Sequence, residues 1–184
     1  MENTSAILLR RTKLTETSLI LTWLTETYGK IKTVAKGARQ PKSRFAGRLD
    51  LFYECEIQWS RSRRSELHTL REVGLRAAHE ALRADYRLVA LASYFVELVE
   101  LVTEADHPVP EIFDLLQRAL RHVNVHAGSR RALEHFEREL ARVLGIQQPS
   151  VAPSVALARA YHHLPRGRSE LLQGFRVAEE SGER

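Results

Sequence analysis

The hydrophobic period of this chain changes near residue 76, and that change restricts the folds open to it. Ahead of it, apolar residues recur at every second position. The clearest case is Leu51–Trp59, where Leu51, Tyr53, Cys55, Ile57 and Trp59 face one way and Glu54, Glu56 and Gln58 the other. Period-two spacing sets one face of a strand on a core and the other in water. Ala6–Arg11, Ser18–Thr25, Lys30–Lys36 and Glu66–Val73 supply four more short strands. Beyond residue 76 the spacing becomes helical. Tyr86–Thr103 is apolar nearly all round and reads as a buried helix capped by Asp85, and Glu111–Val125 follows after the break Asp106-His107-Pro108-Val109-Pro110. Ser129 can cap a third helix carrying Leu133, Phe136, Leu140, Val143 and Leu144, with Gly145 and Pro149 as its stop signal.

Five short strands with polar connections predict a small barrel, and five is the strand number of the OB-fold, which often binds single-stranded nucleic acid. The expected fold is α+β: an OB-fold barrel over residues 1–78 and an all-α helical bundle over 79–184. Weaker helices are expected after residue 151, around Pro165-Arg166-Gly167, with the last seven residues, AEESGER, frayed.

Charge is unevenly placed. Residues 1–79 hold 15 Lys+Arg against 8 Asp+Glu, a balance of +7, while residues 80–184 hold 13 against 15, a balance of −2. The stretch Lys30–Arg48 carries Lys30, Lys32, Lys36, Arg39, Lys42, Arg44 and Arg48 with no acidic residue, and Gly37, Pro41 and Gly47 mark its second part as loop. A basic loop beside a strand suits a phosphate backbone, and nucleic acid is the polyanion it points to. Arg10, Arg11 and Lys13 are weaker candidates of the same kind. The plainer reading is a solvated loop on a protein-interaction module. Phe45, between Arg44 and Arg48, can stack on a base or anchor the loop to the body; the sequence leaves both open. Trp23, Tyr53 and Trp59 read as barrel filling.

Catalysis finds no support: there is no Gly-rich phosphate loop, nucleophile elbow or paired-carboxylate motif, so no enzyme and no cofactor are expected. His122 and His126 lie four apart on one helix face, and His162-His163 follow later, but no third ligand has metal-site spacing. These read as surface or capping histidines. Cys55, the single cysteine, reads as a small core residue and excludes an intrachain disulfide. The most apolar stretch, Leu88–Val102, is interrupted by Glu97 and Glu100, and the Ile7–Leu9 run is too short for a signal core. A cytoplasmic protein, at the nucleoid, is expected.

The order of residues resembles the RecO family of bacterial recombination mediators. The resemblance rests on Leu19-Ile20-Leu21-Thr22, Leu24-Thr25-Glu26 followed by Gly29-Lys30, Val34-Ala35-Lys36-Gly37-Ala38-Arg39, Lys42-Ser43-Arg44 and Leu49-Asp50-Leu51-Phe52. It spans about residues 6–75; residues 76–145 fit in pattern more than in motif. It implies an OB-fold followed by helices, binding of single- and double-stranded DNA, annealing of complementary strands, and work with RecR to load RecA. It also implies contact with the C-terminal tail of the single-strand-binding protein. A pocket with an apolar floor and an arginine rim suits such an acidic tail, and Arg118/Arg121 and Arg130/Arg131 lie near apolar helix faces. The chain departs from the family in two ways. Gln147-Gln148-Pro149 stands where many members carry a four-cysteine zinc site, so no structural zinc is carried over. The chain also reads as short at its C-terminal end.

Overall fold

A computed structural model describes residues 1–180, with side chains through Ala178; the final residues of the expected frayed tail lie outside the described part. The contacts divide the chain into two units, Met1–Ala78 with Thr103–Asp114, and His79–Val102 with Leu115 onward. Residues 103–114, grouped with the helical half on sequence, return to the barrel unit. The reason is local: the backbone of Ala105 bridges to Lys30, and Asp106 N–H donates to the Lys30 carbonyl at 3.0 Å.

The barrel unit holds β1 (Glu2–Lys13), β2 (Leu19–Thr25), β3 (Gly29–Ala35), β4 (Glu54–Ser60) and β5 (Leu67–Ala77), closed in the order β1-β2-β3-β5-β4. All neighbours are antiparallel except β3 and β5, which run parallel over Lys32–Val34 and Leu67–Thr69. This is the OB-fold barrel. β1 is longer than its sequence pattern indicated because it pairs with β2 along one part and with β4 along the other.

Alternation fills the interior. Leu21, Trp23, Ile31, Cys55, Ile57, Trp59, Leu70 and Val73 form one cluster. The Trp23 indole donates to Thr33 Oγ1 at 2.9 Å, so its polar edge stays satisfied inside. Leu51 departs from the expected pattern: it is 37% exposed in a turn. Phe52 adopts φ 70, which breaks the extended chain, and β4 begins only at Glu54.

The second unit contains a short 3-10 helix at Glu80–Ala84, then α1 (Tyr86–Val102), the latter part of α2 (Pro110–Val125), α3 (Arg130–Val143), α4 (Pro153–Tyr161) and α5 (Gly167–Glu180). Asp85 Oδ1 accepts the Arg87 N–H at 2.8 Å, and Ser129 Oγ accepts the Ala132 N–H at 3.2 Å. Both expected caps therefore satisfy first-turn donors. Gly145, at φ 69, ends α3 while Ile146 N–H returns to the Ala141 carbonyl. Phe95 of α1 stacks on Phe136 of α3 with centroids 4.2 Å apart. Beside them a buried carboxylate gathers three elements. Glu137 accepts from Tyr94 Oη at 2.5 Å and from Arg168 of α5 at 2.6 and 3.0 Å.

Candidate nucleic-acid interface

On β3, Gly29, Ile31, Thr33 and Ala35 are buried, so Lys30 and Lys32 point outward. Their fates differ. Lys30 is half-buried and its ammonium donates to the Thr103 carbonyl at 2.6 Å, which ties residues 103–106 to the barrel. Lys32 is exposed and makes no ion pair among the described residues.

The β3–β4 connection, residues 36–53, is a ledge of successive turns. Backbone N–H groups of Ala38, Gln40, Ser43, Ala46 and Arg48 each return to the carbonyl three residues earlier. Phe45 and Leu49 drop from this ledge into the barrel core, 2% and 7% exposed. Of the two sequence readings of Phe45, anchoring is the observed one. The ring offers no open face for stacking on a base: it is buried, and the Arg44 guanidinium lies 4.8 Å from its centroid.

The anchored ledge sorts its cations. Arg39 donates to the carbonyls of Thr15 and Glu16 at 3.3 and 3.0 Å, with the Glu16 carboxylate at 3.9 Å. Arg48 donates to the Val73 carbonyl at 3.2 Å. A carbonyl bond fixes a guanidinium without neutralising it, so the field of Arg48 persists. Lys36, Lys42 and Arg44 are exposed and make no ion pair among the described residues. Phe45 lines two shallow cavities. One, of about 440 Å³, has Arg44, Arg48 and Arg71 on its rim together with Glu56 and Glu72. The other, of about 380 Å³, has Arg11 and Arg39. Arg71 was missed in the sequence because it lies on β5, far along the chain from the basic stretch. Arg11, a weaker candidate, donates to the Leu49 carbonyl at 2.6 Å and pairs with Asp50 at 3.2 Å.

This surface can neutralise phosphates; it carries no evident bond chemistry. The Cys55 thiol is pushed up to about 12 by burial and by neighbouring Glu54, so it stays protonated at neutral pH.

In the helical unit a cavity of about 560 Å³ opens between α1, α2 and α3. Phe95, Leu115, Val123 and Phe136 make its floor, and Arg118, Arg131, His122 and His135 its polar edge. One arginine of each expected pair therefore lines it. Arg121 and Arg130 do not, and Arg130 bonds Glu134 at 2.7 Å. His135, four residues after Arg131, went unnoticed in the sequence although that spacing places both on one helix face. Burial, then the neighbouring His126 and His135, lower the pKa of His122. The His122 and His126 rings lie 4.5 Å apart between centroids, and no group of three metal-ligating side chains occurs among the described residues. No helix among them is long and apolar enough to cross a membrane.

A closed five-stranded barrel with a cation-lined β3–β4 ledge, in one chain with an all-α unit, defines the class: an OB-fold protein with a helical second unit. Residues 1–79 match the family described as Recombination protein O N terminal, and residues 83–151 that described as Recombination protein O C terminal. Among curated relatives, the DNA repair protein RecO of Synechococcus elongatus is 38% identical over 127 residues, which is 68% of this chain and 46% of the relative. Those of Rhodopirellula baltica and Salinibacter ruber are 33% and 32% identical over 140 and 157 residues, covering 76% and 85% of this chain and 52% and 58% of the relatives. The chain belongs to the RecO family of DNA repair proteins. It spans about half the length of the curated relatives it matches.

Proposed function

We propose that this chain binds single- and double-stranded DNA through its barrel, anneals complementary strands, and helps a RecR-like protein load RecA in recombinational repair. Its place of action is the cytoplasm, at the nucleoid. The observation that carries the reading is the set Lys32, Lys36, Lys42 and Arg44: four exposed cations without a carboxylate partner among the described residues. Annealing requires no covalent step. Two strands repel through their phosphates, and a surface that neutralises some of that charge lowers the cost of bringing them together. The fixed arginines Arg39 and Arg48 add field at the same ledge, and Lys30 contributes less because it is committed to the Thr103 carbonyl.

The helical cavity is the proposed seat of the C-terminal tail of the single-strand-binding protein. An apolar floor takes a hydrophobic terminal side chain, and Arg118 or Arg131 takes a carboxylate. The proposal includes no catalytic role and no cofactor.

The test is a titration of oligothymidylate and of duplex across a salt series. If about four cations meet single-stranded phosphates, log K falls against log salt with a slope near −3. Lys36→Ala/Lys42→Ala/Arg44→Ala together remove about 2 of that slope. Binding indifferent to salt, or unchanged by the triple substitution, would leave the chain a protein-interaction module with a solvated ledge. Titration of a labelled acidic tail peptide, with Arg118→Ala and Arg131→Ala, tests the cavity separately.

A further inference from the structure

A second cavity of the helical unit, of about 300 Å³, lies along α1 and α5 and takes no part in the functions above. Val89, Ala90, Leu171 and Phe175 form its apolar floor, and Glu97 and Glu170 are its carboxylates. Arg168 and Tyr94 meet on Glu137, while a Cβ on Gly128 would lie 3.2 Å from Leu88 and 3.6 Å from Leu91 and Phe175. α5 therefore runs antiparallel to α1. That arrangement sets Glu97 and Glu170 toward one end of the groove and Tyr86 toward the other.

The groove has both open space and uncancelled charge. Tyr86 is 80% exposed. Gly174 sits at the surface in the middle of α5, and a Cβ there would meet no atom within 4 Å. Glu97 and Glu170 are exposed and make no ion pair or side-chain hydrogen bond among the described residues. Arg87, the cation in the lining, already meets Asp85 at 3.4 Å. Two negative charges therefore stand beside an apolar trough. This is the reverse of the arginine-rimmed cavity that Phe95 lines, one residue along α1 from Tyr94.

A furrow between two antiparallel helices suits a third helix, whose ridge of side chains fills it. Tyr86 to Glu97 spans about 16 Å of α1, roughly three turns. The two carboxylates repel a phosphate backbone or an acidic peptide. They attract a Lys or Arg side chain and, through the helix dipole, the N-terminal turn of a docked helix. We infer that the α1–α5 groove docks an amphipathic helix of a partner protein, apolar on its inner face, with a lysine or arginine in its N-terminal turn set against Glu97 and Glu170. The contact has the opposite charge preference to the proposed tail cavity and does not depend on that reading.

The experiment titrates the whole chain with a fluorescent helical peptide of about four turns, with leucines along one face and lysines in its first turn. A counterpart peptide has glutamates in place of the lysines. The lysine peptide binds the tighter of the two, by about fivefold, and Glu97→Lys/Glu170→Lys inverts that order. Gly174→Leu fills the trough and weakens the lysine peptide about tenfold. Leucine is a better helix former than glycine and meets open space there, so this variant keeps its urea midpoint, and its oligothymidylate and acidic-tail titrations are unchanged. The inference is overturned if neither peptide binds, if the two bind alike, or if the folded Gly174→Leu chain holds the lysine peptide as tightly as before. Sedimentation of the chain alone tests the other occupant. A dimer that both Gly174→Leu and Glu97→Lys/Glu170→Lys dissociate would assign the groove to a second copy and overturn the partner helix as well.

Discussion

Arginine does different work in the two units, and the difference lies in which acids are within reach. In the helical unit Arg130 meets Glu134 at 2.7 Å, Arg142 meets Glu139 at 2.9 Å and Arg168 meets Glu137 at 2.6 Å. The barrel unit has pairs too, Arg11–Asp50 and Arg76–Glu56. The cations of its ledge and of its β4–β5 loop have none among the described residues beyond the long Arg39–Glu16 approach at 3.9 Å. Charge counted along a chain therefore understates the contrast. The helical unit pairs these cations with carboxylates a helical turn away or, for Arg168, on a packed helix, while on the barrel's ledge Arg39 and Arg48 meet backbone carbonyls. A polyanion feels the second arrangement more strongly than the first.

Four substitutions or conditions can break or sharpen this comparison. The largest effect is expected from Phe136→Ala, which empties the stacked Phe95–Phe136 contact. It should cost about 3–5 kcal/mol in urea unfolding. Hydrogen exchange should show the loss in α1 and α3 while the barrel strands keep their protection; equal loss in both would mean the units do not unfold separately. Next is Arg168→Met, which leaves the Glu137 carboxylate, 1% exposed, with Tyr94 alone. About 3 kcal/mol should be lost, and Arg168→Met/Glu137→Leu should recover part of it. A double substitution less stable than the single one would show that the carboxylate has enough partners without Arg168.

A smaller effect belongs to the barrel. A Cβ on Gly29 would stand 2.0 Å from the His107 carbonyl oxygen, and the residue holds φ +71. Gly29→Ala should cost about 2 kcal/mol and raise exchange at residues 103–107, leaving α3 and α5 unchanged. The smallest effect is with pH. Burial, and after it the charge of Arg61, holds His68 below its ordinary 6.5, although Asp106 pulls the other way. The unfolded chain then takes up a proton near 6.5 that the folded barrel refuses until lower pH. Stability is complete above that value and declines as pH falls through the window beneath it. His122 gives the helical unit the same sign. His68→Gln should flatten the barrel's response and His122→Gln that of the helices, read as the urea midpoint at two pH values.

The fold was legible because both periods are strong. Tyr53, Cys55, Ile57 and Trp59 alternate as a barrel strand must, and Ser129 with Gly145 brackets α3 by ordinary capping chemistry. Leu51 misled because alternation continues in the letters past the point where Phe52 turns the backbone. The return of residues 103–114 to the barrel had no local signal, since it depends on a β3 backbone more than 70 residues away in sequence. The candidate surface was legible as charge and not as roles. Lys30, Lys32, Arg39 and Arg44 look equivalent in a row of letters. They separate only when Thr103 and Thr15 arrive from elsewhere to hold Lys30 and Arg39, while Lys32 and Arg44 stay exposed.

The parallel pairing of β3 with β5 extends over only three registered residue pairs, and just before it Ala105 occupies the same margin of β3. The seam is thus sealed along its length by two different pieces of chain. A sheet with an open margin recruits partners by lending them its backbone, and it risks recruiting copies of itself. This barrel has closed that route. Whatever joins it there must be recognised by side chains, and a crowded solution of it should resist strand-to-strand aggregation until the seam at Ala105 is pried loose.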